Sequence, residues 1–90
     1  MPRYLVERTY PDQFIIPINL DGVQVCRSII DNDAVEQVTW LHSYVTHDKR
    51  KSFCVCDAPS PEAVRRAAQR NGQPVDRITE VRVFDPYFYL

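Results

Sequence analysis

The order of its regular segments constrains the fold of this chain more than any other feature. Four segments have the β-branched and aromatic composition of strands, and two carry apolar residues at helical spacing. The predicted strands are Arg3 to Tyr10, Val38 to Thr46, Ser52 to Asp57 and Arg77 to Phe84. The predicted helices run from Asp21 to about Asn32 or somewhat beyond, and from Ser60 to Asn71. This β-α-β-β-α-β order is typical of the ferredoxin-like α+β sandwich. The 90 residues are predicted to form one domain, residues 1–90, with both helices on one face of an antiparallel sheet.

Short capping signals predict where the helices begin and end. Asp21 is expected to cap the first helix. One buried stripe is predicted on that helix, made of Val23, Cys26, Ile29, Ile30 and Ala34. Ser60-Pro61-Glu62 combines an N-cap, a proline at the first helical position and an acid near the positive end of the helix dipole. Gly72 is expected to end that second helix.

The composition argues against several classes of function. The net charge is −1, with eleven basic and twelve acidic residues mixed along the chain, which is a poor footprint for nucleic acid. No segment approaches the roughly 20 apolar residues of a membrane span, and the N-terminal apolar run is too short for a secretory signal. We therefore expect a cytoplasmic protein that binds neither nucleic acid nor membrane.

The three cysteines are expected to be reduced thiols. They are Cys26, Cys54 and Cys56. Residues two apart in a strand point to the same face, so Cys54 and Cys56 should lie together. We expect both under the helices as small buried hydrophobes.

The open face, meaning the sheet face that the helices do not cover, is predicted to mix aromatic and ionisable residues. A hairpin turn between the two central strands would place His42 opposite Asp57. Strict alternation then assigns to the open face Leu5, Glu7, Trp40, His42, Tyr44, Phe53, Val55, Asp57, Glu80, Arg82 and Phe84, and to the helix side Tyr4, Val6, Leu41, Val45, Val81 and Val83. Contiguous exposed aromatic residues mark interfaces. We therefore expect two copies to pack face to face as a homodimer.

Three interpretations of the ionisable residues remain open. Imidazole with carboxylates suits nickel or another divalent transition metal, and the candidate ligands are His42, Glu7, Glu80 and Asp57. Alternatively, the face forms a small-molecule site, or an enzyme site of the dimeric α/β-barrel type, with His42 as general base or hydrogen-bond donor. That pocket would be lined by Trp40, His42, Tyr44 and Arg82. In the third interpretation these groups only pair with one another, Glu7 or Glu80 with Arg82 and His42 with Asp57. No G-x-G-x-x-G, P-loop or C-x-x-C motif is present, so no organic cofactor is predicted. The metal-binding interpretation assigns no catalytic residue.

Several blocks of the sequence resemble a bacterial family of small proteins that was long classed as a domain of unknown function and has a branch described as nickel-binding. The blocks are Pro2 to Arg8, Val38 to Val45, Asp48 to Lys51, Phe53 to Val55, Asp57 to Ala63 and Arg70 to Gly72. The resemblance implies a ferredoxin-like homodimer with an additional short strand, which the aromatic tail from Tyr87 is expected to supply. It also implies nickel binding, with a role in nickel response or storage, and His42 and Glu7 lie inside matching blocks. The preferred interpretation is a cytoplasmic, non-enzymatic, nickel-binding homodimer.

Overall fold

A computed structural model describes residues 1–89 and confirms the predicted element order. The elements are strand β1 Arg3–Thr9, helix α1 Leu20–Val35, strands β2 Thr39–Val45 and β3 Lys51–Asp57, helix α2 Pro61–Asn71, strand β4 Arg77–Val81 and a short 3₁₀ helix Pro86–Tyr89. The sheet order is β2-β3-β1-β4 with antiparallel neighbours. The ferredoxin-like α+β fold is therefore confirmed. In the described part of the chain, neither helix has the length and hydropathy that crossing a bilayer requires.

Helix α2 closes over the centre of the sheet and follows its predicted capping signals. The Ser60 hydroxyl accepts a hydrogen bond from the Ala63 amide at 3.2 Å, and Gly72 ends the helix in the left-handed region at φ 64°. Its buried side chains pack on β1 and β3 to form the core. That core contains Tyr4, Val6, Val38, Cys56, Ala58, Ala63, Val64 and Ala67. The prediction that Cys56 lies under the helices is confirmed.

Helix α1 begins earlier than predicted because its cap is Asn19 and not Asp21. The Asn19 side chain accepts a hydrogen bond from the Gly22 amide at 3.1 Å. Gly22 itself is buried, and a Cβ built there would lie 1.7 Å from the carbonyl oxygen of Pro17. The first turn of α1 therefore requires a glycine, because the preceding loop passes directly against its backbone.

The predicted buried stripe of α1 is only partly correct. Cys26 and Ile29 are half-buried, whereas Val23 is 63% and Ile30 50% exposed, and Ala34 is exposed as well. The helix touches the rest of the fold along a narrower line than its apolar residues suggest. Helical spacing shows which residues share a face, but the tertiary structure decides how much of that face is covered.

The pairing of β2 with β3 differs from the predicted register by two residues. His42 lies opposite Val55, and not opposite Asp57 as predicted. Because side chains alternate with a period of two, a shift of two residues leaves their faces unchanged. His42 and Tyr44 therefore lie on the open face, as the sequence indicated.

A β-bulge at Leu41 reverses the predicted face of the preceding residue. The register changes between Trp40 and His42, and Trp40 lies opposite the buried Cys56. An extra residue in one strand breaks the alternation at that point. Trp40 consequently lies on the helix side, not on the open face, and its indole nitrogen donates to the Ser43 hydroxyl at 2.8 Å. Leu41, predicted on the helix side, is 40% exposed.

The predicted phase of β4 is also wrong. Glu80 lies opposite Tyr4, and Ile78 lies opposite Val6. Since Tyr4 and Val6 face the helices, Glu80 shares that side and Val81 lies on the open face. β4 has apolar residues on both faces, Ile78 against the core and Val81 on the open face, so hydrophobicity alone did not indicate which side is buried.

The aromatic tail does not add a strand in the part of the chain that the structure describes. β4 ends at Val81, and the chain turns into the 3₁₀ helix Pro86–Tyr89. The Asp85 carboxylate accepts a hydrogen bond from the Tyr87 amide at 2.9 Å, which caps this short turn. The expected extra strand is therefore wrong for residues 87–89, and Leu90 lies outside the described residues.

Candidate functional site

The open face consists of three rows of side chains that run across all four strands. The strand registers give these rows as Tyr44, Phe53, Glu7 and Arg77; then His42, Val55, Leu5 and Thr79; then Thr39, Asp57, Arg3 and Val81. Each row contains both apolar or aromatic and ionisable side chains. Leu5, Phe53 and Val55 are half-buried, and Tyr44 is 64% exposed. The face has the mixed character that the sequence predicted.

His42 is the one imidazole on this face and is exposed to solvent. Its ring meets the ring of Tyr44 edge to face, with centroids 5.3 Å apart and an interplanar angle of 86°. Glu7 lies on the same face but two strands away, because β3 runs between β2 and β1. Neighbouring strands are about 4.8 Å apart, so the two backbones are separated by roughly 10 Å. The structure therefore places both predicted ligands on one surface without bringing them into contact.

Asp57, a third predicted ligand, is engaged by Arg3. The Arg3 Nε donates to Asp57 Oδ1 at 2.9 Å, and a terminal nitrogen donates to Oδ2 at 3.4 Å. This pair lowers the pKa of Asp57 and raises that of Arg3, in both cases mainly through the hydrogen bond between them. The anticipated hydrogen bond from His42 to Asp57 is replaced by this ion pair.

The structure does not bring the four predicted metal ligands together. Glu80 lies on the helix side, and Asp57 binds Arg3. Residues 1–89 contain no group of three or more His, Cys, Asp or Glu side chains placed to hold a metal ion. In a single copy of the described chain, His42 and Glu7 are thus the predicted open-face donors outside the ion pair between Arg3 and Asp57.

The residues of the alternative small-molecule pocket are also divided between different surfaces. His42 and Tyr44 share the open face, while the sheet separates both from Trp40. Arg82 lies beyond the end of β4 and is exposed. It borders a shallow groove with Arg3 and Asp57 at the edge of the sheet. No common pocket forms around the four.

A cavity that the sequence analysis missed lies on the helix side of the sheet. It has a volume of about 250 Å³ and is lined by β1, β2, β3, both helices and the loop between β1 and α1. Cys54 and Cys56 contribute to its wall, as does Trp40. Burial raises the pKa of the Cys56 thiol to about 11. One signal was available in the sequence: Arg8 continues the helix-facing alternation of Tyr4 and Val6, which places a charged residue where an apolar one is expected.

These features define a ferredoxin-like α+β protein with a helix-covered sheet face and an uncovered face that carries an exposed imidazole. A family model described as "Nickel responsive protein SCO4226-like" matches residues 4–81. The chain belongs to this family, which confirms the resemblance seen in the sequence.

A solved structure and a search of curated proteins complete the comparison. The crystal structure of SCO4226 from Streptomyces coelicolor A3(2) superposes with a TM-score of 0.73 at 19% sequence identity, over 92% of this chain and 99% of that one. At this identity the similarity shows the shared fold. No curated protein matches the sequence.

Proposed function

We propose that this protein binds nickel through His42 on the open face and that it does so as a homodimer. The observation that carries the proposal is the exposed imidazole of His42 on an uncovered sheet face, in a chain whose family is described as nickel responsive. Imidazole is a suitable ligand for nickel, and carboxylates complete many such sites. A role in nickel response or storage follows from this binding.

The second copy supplies the donors that one chain lacks. In an isologous dimer the same surface of both copies meets around a two-fold axis. Packing the two open faces together doubles each donor, giving two His42 imidazoles and two Glu7 carboxylates. Nickel binding and dimerisation are therefore coupled in this proposal.

Burial of apolar side chains favours the same dimer. Leu5, Phe53 and Val55 form a half-buried strip, with Tyr44 64% exposed beside it. Each Å² of apolar surface removed from water contributes roughly 25 cal/mol. The tail adds apolar residues after β4 that are between 70% and 84% exposed, namely Val83, Phe84, Tyr87 and Phe88, and we assign these to the rim of the same contact.

Calorimetric titration with nickel tests the metal site. We expect His42→Ala to lose most of the nickel affinity, while the matched control His47→Ala retains it, because His47 lies on the exposed turn between β2 and β3. Acidification from pH 7.5 to pH 5.5 should weaken binding, since a ligating imidazole has to be deprotonated. If affinity survives His42→Ala and disappears with His47→Ala, the ion is held at the turn and the open-face site is wrong.

Sedimentation velocity at micromolar concentration tests the dimer. The wild type should sediment as a species of twice the 10.5 kDa chain mass. Tyr44→Glu should give a folded monomer, because it places a charge in the contact without disturbing the core. Val23→Glu, an equally exposed apolar position on α1, should remain dimeric. A monomeric wild type, or equal dissociation by both variants, would contradict the proposed interface.

A further inference from the structure

The cavity on the helix side of the sheet, here called the helix-side cavity, is large enough for an organic ligand. Several of the residues that line it are small. These are Ser43, Ser52, Cys54, Ala67 and Ala68. An engineered apolar cavity of about 150 Å³ binds benzene. In proportion, the 250 Å³ of this cavity holds a ligand of about ten non-hydrogen atoms.

Arg8 gives the helix-side cavity a charged donor whose hydrogen-bonding capacity is not used up. Its side chain lines the cavity, and the residue is only 6% exposed. One terminal nitrogen donates to the Pro74 carbonyl at 2.7 Å, but the Nε is buried and has no hydrogen-bond partner among residues 1–89. A buried donor on a charged group is costly to leave unpaired. The described chain therefore supplies no hydrogen-bond acceptor for the Arg8 Nε.

Asp33, the carboxylate on the wall of the helix-side cavity, does not meet this need. Its Oδ1 accepts a hydrogen bond from the Asn71 side chain at 3.0 Å, and the ion pairs of the described chain do not include Arg8 with Asp33. Burial raises the pKa of Asp33, although Asn71 and Arg8 oppose the shift. In the described chain the Arg8 Nε is a buried atom without a partner, whereas no buried oxygen of the Asp33 carboxylate is left in that state. This asymmetry favours an anionic ligand over a cationic one.

Part of the wall of the helix-side cavity is aromatic. The rings of Tyr10 and Phe14 stack with centroids 4.9 Å apart, and both line the cavity together with Trp40. The Phe14 amide donates to the Lys49 carbonyl at 2.7 Å, which anchors this loop to the turn between β2 and β3. An apolar body, including an aromatic ring, fits against this wall.

We infer that the helix-side cavity binds a small carboxylic acid with an apolar body, its carboxylate at Arg8 and its body against Trp40 and Phe14. A guanidinium group receives a carboxylate through short, charge-assisted hydrogen bonds. This site goes beyond the proposed nickel site and does not depend on it, because the sheet lies between the cavity and His42.

Fluorescence titration of the wild-type protein tests the inference directly. Trp40 is the single tryptophan in the sequence, so its emission reports on the cavity. The probes are 3-phenylpropionate, 3-phenylpropionamide and 3-phenylpropylamine, which share a ring and chain but differ in charge. We expect saturable binding of the acid, with an affinity at least about tenfold higher than that of the amine. The reason is that one hydrogen bond to a charged group contributes about a factor of ten in affinity. Absence of a saturable change up to 10 mM acid, or tighter binding of the amine, would overturn the inference.

Two variants test separately the contribution of the Arg8 charge and that of the cavity volume. Arg8→Met keeps the apolar stem, and it should weaken binding of the acid about tenfold or more while changing that of the neutral amide less than about threefold. Cys54→Leu should fill the cavity and abolish binding of all three probes. His42→Ala should bind the acid like the wild type, so failure of the nickel site and failure of this site are distinguishable.

A measurement on the wild type alone keeps the test decisive if Arg8→Met does not fold. Addition of 3-phenylpropionate should shift the amide NMR signals of Ser43, Cys54 and Ala67. The signals of Leu5 and Val55 on the open face should move much less. Shifts confined to the open face would place the ligand elsewhere. If Arg8→Met does fold, an affinity for the acid equal to that of the wild type would lead to the same conclusion.

Discussion

The stability of this protein at alkaline pH should depend on one buried thiol. Cys56 is 4% exposed, and burial raises its pKa from the ordinary 9.0 to about 11. The folded state therefore holds this proton more tightly than the unfolded state, so the stabilisation is complete below about pH 9 and is lost as pH rises toward and through about 11. A pKa difference of one unit corresponds to about 1.36 kcal/mol. The ionisation of Cys56 should therefore lower the free energy of unfolding by about 2 kcal/mol by pH 11.

Urea unfolding at pH 7.5 and pH 11 measures this loss. Cys56→Ala removes the ionisation, so the free energy of unfolding of the wild type relative to the variant should fall by about 2 kcal/mol between the two pH values. Other groups that titrate in this range contribute equally to both proteins and cancel. Cys26→Ala, at a half-buried position on α1, serves as the control and should track the wild type. Identical pH dependence of the wild type and Cys56→Ala would refute the reasoning.

The two glycines of the chain should respond differently to the same substitution. Gly22→Ala should destabilise the protein severely in urea unfolding although alanine is the better helix former, because the new Cβ would lie 1.7 Å from the Pro17 carbonyl oxygen. Gly72→Ala should lower the free energy of unfolding by only about 1 kcal/mol, since its φ is 64° but no atom lies within 4 Å of an added Cβ. If both variants lowered the free energy of unfolding equally, the loop at Pro17 would be able to move away from residue 22 at little energetic cost.

Local patterns in the sequence were sufficient to predict the fold and part of the candidate site. The element order and the cap at Ser60 depend on residues close to one another along the chain. For this reason composition and spacing indicate them without knowledge of the tertiary structure. The same holds for the burial of Cys56 beneath α2. The open-face position of His42 was predicted correctly, because an error of two residues in register does not change the face of a side chain. Glu7 also lies on the face predicted for it.

Only the tertiary structure decided which other side chains reach the open face. One extra residue at Leu41 moves Trp40 to the helix side, and the register of β4 on β1 places Glu80 there as well. Alternation has a period of two, so a single inserted residue or a wrong choice of phase inverts every assignment that follows from it. The helix-side cavity beside Arg8 was likewise beyond the sequence, because its volume is what remains after three strands, two helices and a loop have packed together. The volume of the cavity depends on the packing of all these elements together, so the sequence of no single segment predicts it.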